Sequence, residues 1–203
     1  MLVVVGGHSS GIGKTAVISG LIRKLRPFHW SALKISQTGD HACTRETGGC
    51  LCEPAPGDVF TLTEEYEPGE TDAGRFLAAG AERSFWLRTT GGELPRAAGI
   101  LHKLLKQSEN VIVESNGVVD LVEPDVFLML VDFSCEDVTP SSIRFLDRAD
   151  GFILIDHGMN APMWAEVARG AWDSKPHFLV KPPRYVTPEI AEFVQSRRPR
   201  PAI

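Results

Sequence analysis

A glycine-rich turn near the start of the chain constrains the fold more than any other feature. The branched apolar run Leu2–Val5 predicts a short buried strand, and apolar residues at helical spacing predict a helix over Lys14–Leu25. Between them lie Gly11 and Gly13, where backbone N–H groups can turn toward an anion without a Cβ in the way. A strand, a glycine turn and a helix that begins at Gly-Lys-Thr are together typical of a phosphate-binding loop.

This loop predicts a site for a nucleoside triphosphate, ATP or GTP, with Mg²⁺. The N-terminus of the helix contributes partial positive charge. We expect the catalytic Lys14 to reach the β- and γ-phosphates, and the Thr15 hydroxyl to ligate the metal. The structural alternative is an ordinary glycine-rich turn. The predicted nucleotide-binding residues are Gly7, His8, Ser9, Ser10, Gly11, Ile12, Gly13, Lys14, Thr15 and Ala16.

Strand patterns and helix patterns alternate along the rest of the chain. Further strands are predicted at Trp30–Ile35, Ser84–Leu87, Val111–Val113, Val126–Val131, Phe152–Ile155 and Phe178–Val180. Further helices are predicted at Asp72–Ala81, Pro95–Leu105, Ser141–Leu146, Pro162–Ala171 and Pro188–Val194. This alternation predicts one α/β domain over residues 1–203, doubly wound around a mainly parallel sheet with helices on both faces. A chain of 203 residues, 43% of them hydrophobic, can form one such packed domain.

Charge and hydropathy exclude two classes of partner. With 21 basic and 26 acidic residues the net charge is −5, and non-specific nucleic-acid binding needs a positive field instead. No stretch reaches the roughly 18 apolar residues of a membrane span. The chain also starts with an apolar run and glycines rather than a basic leader. We therefore expect no nucleic acid, no membrane and a cytoplasmic location.

The length of the glycine loop indicates a resemblance to a family. Five residues separate Gly7 from Gly13, one more than in the common pattern, and His8 stands at the usual first-glycine position. In this the loop resembles the SIMIBI-type P-loop NTPases that include dethiobiotin synthetase, the cobyrinic acid amidases and molybdopterin-guanine dinucleotide biosynthesis protein B. ParA/MinD-like members carry an extra lysine early in the loop, where this chain has Ser9. The resemblance therefore does not extend to their dimer-dependent lysine mechanism.

A second resemblance concerns the end of the second predicted strand. The segment Lys34-Ile35-Ser36-Gln37-Thr38-Gly39 is similar to the Lys-Pro-x-x-(Ser/Thr)-Gly segment of dethiobiotin synthetase, with Ile35 in place of proline. In that family the lysine faces the phosphates. The resemblance thus implies a catalytic Lys34 and makes Gln37 a candidate phosphate or substrate contact. The structural alternative for Lys34 is a surface lysine at a strand end.

A third resemblance involves the stretch Thr71–Ala81. It resembles the Asp-(Ser/Thr)-x-Arg-x-x-x-Ala-Gly-Ala stretch of the molybdopterin-guanine protein, and it makes Asp72 and Arg75 candidate phosphate or substrate contacts. The two lie three residues apart on one helical face, so a simple surface ion pair is the alternative. Outside the cysteine-containing loop, the resemblance covers roughly residues 1–115.

An acidic residue closes the predicted strand at Val111–Val113. Glu114 follows it directly, and ligands of doubly wound sheets gather at the carboxyl ends of the strands. Since Mg²⁺ takes one or two carboxylates, we predict Glu114 as a catalytic residue and as a metal ligand beside Thr15. The structural alternative is a solvent-facing glutamate at the start of a loop.

The segment Gly39–Gly69 has no clear hydrophobic period and carries most of the cysteines. We interpret it as an insertion in the domain, because loops of this length are usually functional or mobile. Its imidazole and three thiols suit tetrahedral Zn²⁺, and the thiols alone suit an iron–sulfur cluster. Unliganded cysteines or a redox pair remain open. The candidate ligands are His41, Cys43, Cys50 and Cys52.

These patterns favour an Mg²⁺-dependent NTPase that resembles an accessory protein of molybdenum-cofactor or metalloenzyme maturation. Two alternatives remain: an ATP-dependent ligase or kinase acting on a small carboxylate, and a non-catalytic, nucleotide-responsive adaptor for a partner protein. Late loops at Asp156–Asn160 and Lys181–Tyr185 are candidates for holding the base, as in the resembling branch. A homodimer is also expected from that resemblance.

Overall fold

An eight-stranded sheet forms the centre of the described part of the molecule. The computed structural model describes residues 1–38, 53–136, 138, 140–158 and 174–197. The strands are β1 Leu2–Gly7, β2 Ser31–Gln37, β3 Phe60–Glu65, β4 Arg83–Thr89, β5 Val111–Glu114, β6 Val126–Asp132, β7 Gly151–Ile155 and β8 His177–Val180. Their order across the sheet is β3-β4-β2-β5-β1-β6-β7-β8. All neighbours are parallel except β3, which runs antiparallel to β4.

Helices cover both faces of this sheet. They are α1 Lys14–Lys24, α2 Asp72–Ala79, α3 Ala98–Lys106, α4 Pro140–Leu146 and α5 Pro188–Ser196. Successive strand residues point to opposite faces, so Val3 and Val5 pack in the core with α1, α2 and α5, while Val4 packs in the core with α3 and α4. The predicted fold class, a doubly wound and mainly parallel α/β sheet, is confirmed.

Two sequence predictions need correction. The segment Gly39–Gly69 is predicted to lack regular structure, but Phe60–Glu65 forms the edge strand β3. The hydrogen bonds of β3 come from its antiparallel partner β4. The weak hydrophobic pattern of the segment itself does not predict a strand, because strand formation depends on such neighbours. The helix predicted over Pro95–Leu105 begins instead with a 3₁₀ turn at Leu94–Ala97, and the α-helix starts only at Ala98.

Most of the other predicted strands and helices are confirmed, with ends shifted by a few residues. The helix predicted over Pro162–Ala171 lies outside the described residues. None of the helices in the described part of the chain combines the length and apolar character needed to cross a membrane.

Candidate functional site

The glycine turn between β1 and α1 has the backbone that the sequence suggested. Gly11 has a φ of 70° and Gly13, the N-cap residue of α1, has a φ of 111°. Both angles lie in the left-handed region that favours glycine. The loop therefore opens at the N-terminus of α1, at the carboxyl edge of the sheet, where oriented N–H groups favour an anion.

Lys14 curls back over this loop. Its Nζ donates a hydrogen bond to the carbonyl oxygen of Ser9 at 2.8 Å. Burial lowers the pKa of Lys14, the nearby Glu114 carboxylate opposes that shift, and Lys34 adds to it. A phosphate in the loop would add negative charge beside this ammonium group and favour its charged form.

Thr15 and Glu114 meet although they are 99 residues apart in sequence. The Thr15 hydroxyl donates to Oε2 of Glu114 at 2.8 Å, and the Glu114 side chain is only 3% exposed. The strand pairs β1–β5 and β2–β5 bring Glu114 beside the loop. A hydroxyl and a carboxylate oxygen at this separation are the hard oxygen donors that Mg²⁺ prefers, so the donor set fits that ion.

Lys34 joins two carboxylates at the end of β2. Its Nζ pairs with Oε1 of Glu114 and, at 3.0 Å, with Oδ2 of Asp72, the first residue of α2. Asp72 therefore forms its ion pair with Lys34 across the site. The alternative from the sequence was a surface ion pair between Asp72 and Arg75 on the same helix. Thr15, Glu114, Lys34 and Asp72 form one polar network, which we call the carboxylate network.

Charge within the carboxylate network shifts two pKa values in opposite directions. Burial disfavours the charged form of Lys34, but Glu114 and Asp72 outweigh burial, so the pKa of Lys34 is raised. Burial likewise disfavours ionised Asp72, yet the Lys34 charge and its hydrogen bond lower the pKa of Asp72 below its ordinary value. Lys34 and Asp72 are therefore both held in their charged forms.

Two polar residues, Asn116 and His8, fix the first part of the loop by hydrogen bonds that involve its backbone. Asn116 accepts from the Gly7 N–H at 2.8 Å and donates to the Gly7 carbonyl at 2.9 Å, a reciprocal pair that no sequence pattern indicated. His8 is fully buried, and burial lowers the pKa of its ring. The His8 backbone donates to the Leu130 carbonyl, and its carbonyl accepts from Ser142. Among the loop residues, His8 is thus a structural support rather than a cleft-lining side chain.

A cleft of about 490 Å³ opens in front of the loop. It brings together most of the candidate site residues and adds Trp86, which no sequence pattern had singled out. Its described walls include Gly7, Ser9, Ser10, Gly11, Gly13, Lys14, Thr15, Ala16, Lys34, Gln37, Asp72, Arg75, Trp86 and Glu114. Ile12 lies instead on the other side of the loop.

A smaller cavity of about 350 Å³ lies on that other side, over β6, β7 and the segment after β8. Its walls include Ile12, Asp132, His157 and Tyr185. The Tyr185 ring packs so closely on the loop that a Cβ built on Gly13 would lie 2.5 Å from it. This cavity contains part of both late loops that were predicted to hold the base.

The predicted zinc or iron–sulfur ligands His41, Cys43, Cys50 and Cys52 all lie outside the described residues. Within the described ranges, no group of three or more histidine, cysteine or acidic residues could hold a metal ion in that manner. The remaining cysteine, Cys135, lines the smaller cavity, and its Sγ lies 3.7 Å from the Ser9 hydroxyl oxygen. The cysteine site therefore stays a prediction.

The chain has the fold of the P-loop NTPases. HypB from Helicobacter pylori, solved with nickel, superposes with a TM-score of 0.51 at 16% identity, over 95% of this chain and 83% of that one. LpxK from Aquifex aeolicus, solved with ATP, gives 0.48 at 16% identity, over 88% of this chain and 53% of that one. The signal recognition particle 54 kDa protein from Aeropyrum pernix K1, solved with GDP, gives 0.47 at 13%, over 97% and 45%.

The likeness to HypB is structural and shows the fold alone. The chain spans about half the length of LpxK and of the signal recognition particle protein. No protein-family model matches the sequence, and no curated protein matches it. The resemblance to dethiobiotin synthetase and to the molybdopterin-guanine protein is not confirmed by these comparisons.

Proposed function

We propose that the chain binds a nucleoside triphosphate, ATP or GTP, with Mg²⁺ and cleaves its terminal phosphoryl bond. The observation that carries this proposal is the contact of 2.8 Å between Thr15 Oγ1 and Glu114 Oε2 at the mouth of a glycine loop. It joins the two oxygen donors of a magnesium site to an anion-binding helix N-terminus. A surface turn of no function would not need a buried carboxylate at that place.

Each group in the cleft then has a chemical task. The N–H groups around Gly11 and Gly13 bind phosphate oxygens, and Lys14 leaves the Ser9 carbonyl to pair with the β- and γ-phosphates. Thr15 and Glu114 hold the metal, directly or through water. When bound, Mg²⁺ neutralises charge that develops on the phosphoryl group. Lys34, held charged beside Glu114, stabilises the same charge from the opposite side.

The two cavities favour one orientation for the nucleotide. Tyr185, Ile12 and His157 offer partly apolar walls to a base on the β6–β8 side of the loop. The terminal phosphate would then lie toward β5 and β2, beside the carboxylate network. The usual guanine-reading Asn-Lys-x-Asp motif is missing from the sequence, so both ATP and GTP belong in every test.

Isothermal titration with Mg-ATP and Mg-GTP tests the proposal on wild type and Lys14→Met. Loss of a charge-assisted phosphate contact should weaken binding by about 1.5–3 kcal/mol. Lys24→Ala removes an exposed lysine at the end of the same helix and should leave affinity unchanged. Equal affinity of wild type and Lys14→Met, or no binding of either nucleotide by wild type, would overturn the proposal.

The narrower role in molybdenum-cofactor or metalloenzyme maturation rests on the resemblance of the loop and of Thr71–Ala81. It predicts that cells lacking the gene lose molybdoenzyme activity, and that wild type restores it while Lys14→Met does not. Full molybdoenzyme activity in the deletion strain would remove this role. Nucleotide binding without turnover would instead favour the nucleotide-responsive adaptor.

Two further predictions extend this proposal. Metal bound at His41, Cys43, Cys50 and Cys52 would leave on acidification, because thiolates must be deprotonated to bind. Elemental analysis of untagged, anaerobically purified protein, compared with the double variant Cys50→Ser/Cys52→Ser, tests this prediction. Equal zinc and iron contents in the two proteins would exclude the site.

Sedimentation with and without nucleotide tests the expected homodimer. A monomer under both conditions would contradict it.

A further inference from the structure

The side chain of Asn116 continues the hydrogen bonding of β5 after the main chain has left the sheet. The pairing of β1 with β5 ends at Val5 and Glu114, and the Ser115 N–H still donates to the Val5 carbonyl at 3.2 Å. Asn116 then has helical backbone angles, with φ −85° and ψ −51°, and the chain enters a 3₁₀ turn. Its amide reaches back to the N–H and the carbonyl of Gly7 at 2.8 and 2.9 Å. A side-chain amide therefore takes the place of the next peptide group of β5.

The backbone of Gly7 needs an amide as its partner. Gly7 is buried at the end of β1, and it presents one donor and one acceptor toward the strand that has just ended. Buried backbone groups that lack a partner cost free energy. An amide side chain offers a matching acceptor and donor, whereas a carboxylate of the same size could only accept. The Asn116 amide satisfies both Gly7 groups at once.

Gly6 leaves room for this amide. A Cβ built on Gly6 would lie 2.5 Å from Oδ1 of Asn116 and 2.6 Å from the sulfur atom of Met129. Any side chain at this position would push the amide away from β1. The glycine before the loop is therefore a place where Asn116 approaches the backbone closely.

Gly7 in turn supports the side chain of Lys14. A Cβ built on Gly7 would lie 3.1 Å from both Cγ and Cδ of Lys14, so the aliphatic part of the lysine packs on the Gly7 backbone. The Lys14 Nζ lies further along, at the carbonyl oxygen of Ser9. The position of Gly7 therefore determines the path along which the ammonium group reaches a bound phosphate.

The end of β5 thus holds the glycine loop at both of its ends. Asn116 binds Gly7 where the loop begins, and Glu114 accepts from the Thr15 hydroxyl where α1 has begun. The loop cannot move away from the metal-binding carboxylate without breaking these contacts. Groups that are held in place before the ligand arrives need no rearrangement on binding.

We propose that Asn116 is a positioning residue of the nucleotide site. It fixes Gly7 and, through Gly7, the Lys14 side chain, so that the loop has its binding geometry before the triphosphate arrives. The inference rests on the proposed function and adds a residue that acts through the loop rather than through phosphate or metal. Loss of the Asn116 amide should weaken nucleotide binding more than it weakens the fold.

Isothermal titration with Mg-ATP and Mg-GTP compares wild type with Asn116→Ala and Asn110→Ala. Asn110 is the matched control, because it directly precedes β5, is half-buried like Asn116 and donates to a backbone carbonyl, that of Phe28, at 2.6 Å. We expect Asn116→Ala to weaken nucleotide binding about 10- to 100-fold, the usual loss for a residue that orients a ligand-binding group. Asn110→Ala should lower the melting temperature to a similar extent and bind nucleotide like wild type.

A double variant separates positioning from a general loss of stability. If Asn116 acts through Lys14, Asn116→Ala should weaken binding only about twofold or less in the Lys14→Met background, because the group that it positions is already missing. An equal loss of affinity in both backgrounds would overturn the inference, since independent effects add.

Thermal melts on every variant show whether the fold is intact. Asn116→Ser, which leaves a hydroxyl near the Gly7 backbone, replaces Asn116→Ala if the latter fails to fold, and it should weaken binding in the same direction. Wild-type affinity in the Asn116 variant, or an equal loss of affinity in Asn110→Ala, overturns the inference and leaves the proposed function standing. A wild type that binds neither nucleotide overturns the proposed function and the inference with it.

Discussion

At the scale of single residues, Glu114 is where the contacts of the site converge. It is buried, it accepts from the Thr15 hydroxyl, and it pairs with Lys34. We predict that Glu114→Gln lowers Mg²⁺-dependent turnover about 100-fold or more, because an amide keeps the shape but removes the charge facing the metal. The melting temperature should fall far less than turnover, since the amide oxygen can still accept from Thr15 and Lys34 keeps Asp72 as a second partner.

Turnover and thermal melts on the same samples decide this prediction. Glu93→Gln is a suitable control because Glu93 forms only a surface pair with Arg96. A large drop in melting temperature with activity retained would show that Glu114 supports the fold rather than the chemistry.

A second prediction compares the two glycines with positive φ in the loop. Alanine at Gly11 is strained by its backbone angle alone and should cost about 1–2 kcal/mol of unfolding free energy. Among the described residues beyond its chain neighbours, no atom lies within 4 Å of the place that its Cβ would take. Alanine at Gly13 has the same kind of strain and would also meet the Tyr185 ring at 2.5 Å. Gly13→Ala should therefore cost about 1–3 kcal/mol more than Gly11→Ala.

Urea denaturation of both variants measures this difference. Tyr185→Ala in the Gly13→Ala background should recover part of the extra cost, because it removes the ring that the new methyl group meets. Equal costs for the two single variants would mean that Tyr185 does not pack on the loop in solution.

At the scale of elements, α2 orients two residues of the cleft. The helix begins at Asp72, and Thr71 caps it by accepting a hydrogen bond from the Gly74 N–H at 2.9 Å. Thr71→Ala should lower the unfolding free energy by about 1 kcal/mol, and Thr71→Ser should restore it. The cap of α5 is longer, 3.5 Å from the Ile190 N–H to Thr187, so Thr187→Ala should cost less.

Chemical denaturation of the three variants tests the order of these costs. If Thr71→Ser is as unstable as Thr71→Ala, the loss comes from packing of the threonine methyl group and not from the cap.

At the scale of the whole molecule, the carboxylate network couples stability to pH. The lowered pKa of Asp72 means that its contribution is present above its ordinary value of 3.8 and is lost as the pH falls through the folded value. The raised pKa of Lys34 means that its contribution is present below its ordinary value of 10.5 and is lost as the pH rises through the folded value. The network therefore stabilises the fold between these limits.

We predict that Asp72→Asn is less stable than wild type at neutral pH and that the difference disappears in acid. As the pH falls through the lowered pKa of Asp72, the wild-type carboxylate is itself protonated, so the variant loses nothing further. Urea midpoints measured from neutral pH into acid give the difference directly. The exposed carboxylate of Asp58 provides the control, and Asp58→Asn should follow wild type throughout. A difference that does not depend on pH would contradict the ion pair with Lys34.

The sequence by itself determined the glycine loop, the strand and helix around it, and the alternating pattern that makes a parallel sheet. These follow from residues that are close in the chain, where hydrophobic spacing and glycine freedom encode local geometry. The sequence also predicted Glu114 as a site residue, because ligands of such sheets bind at the carboxyl ends of the strands.

Only the tertiary structure decided which of these groups meet. Asn116 binds the Gly7 backbone from 109 residues away, and Lys34 reaches Glu114 across 80. Such contacts depend on the order of strands across the sheet, which brings β5 between β1 and β2 and which no local pattern specifies. The same reason explains the edge strand β3, whose hydrogen-bond partner is β4, and the position of Trp86 on the cleft wall, which follows because β4 lies beside β2.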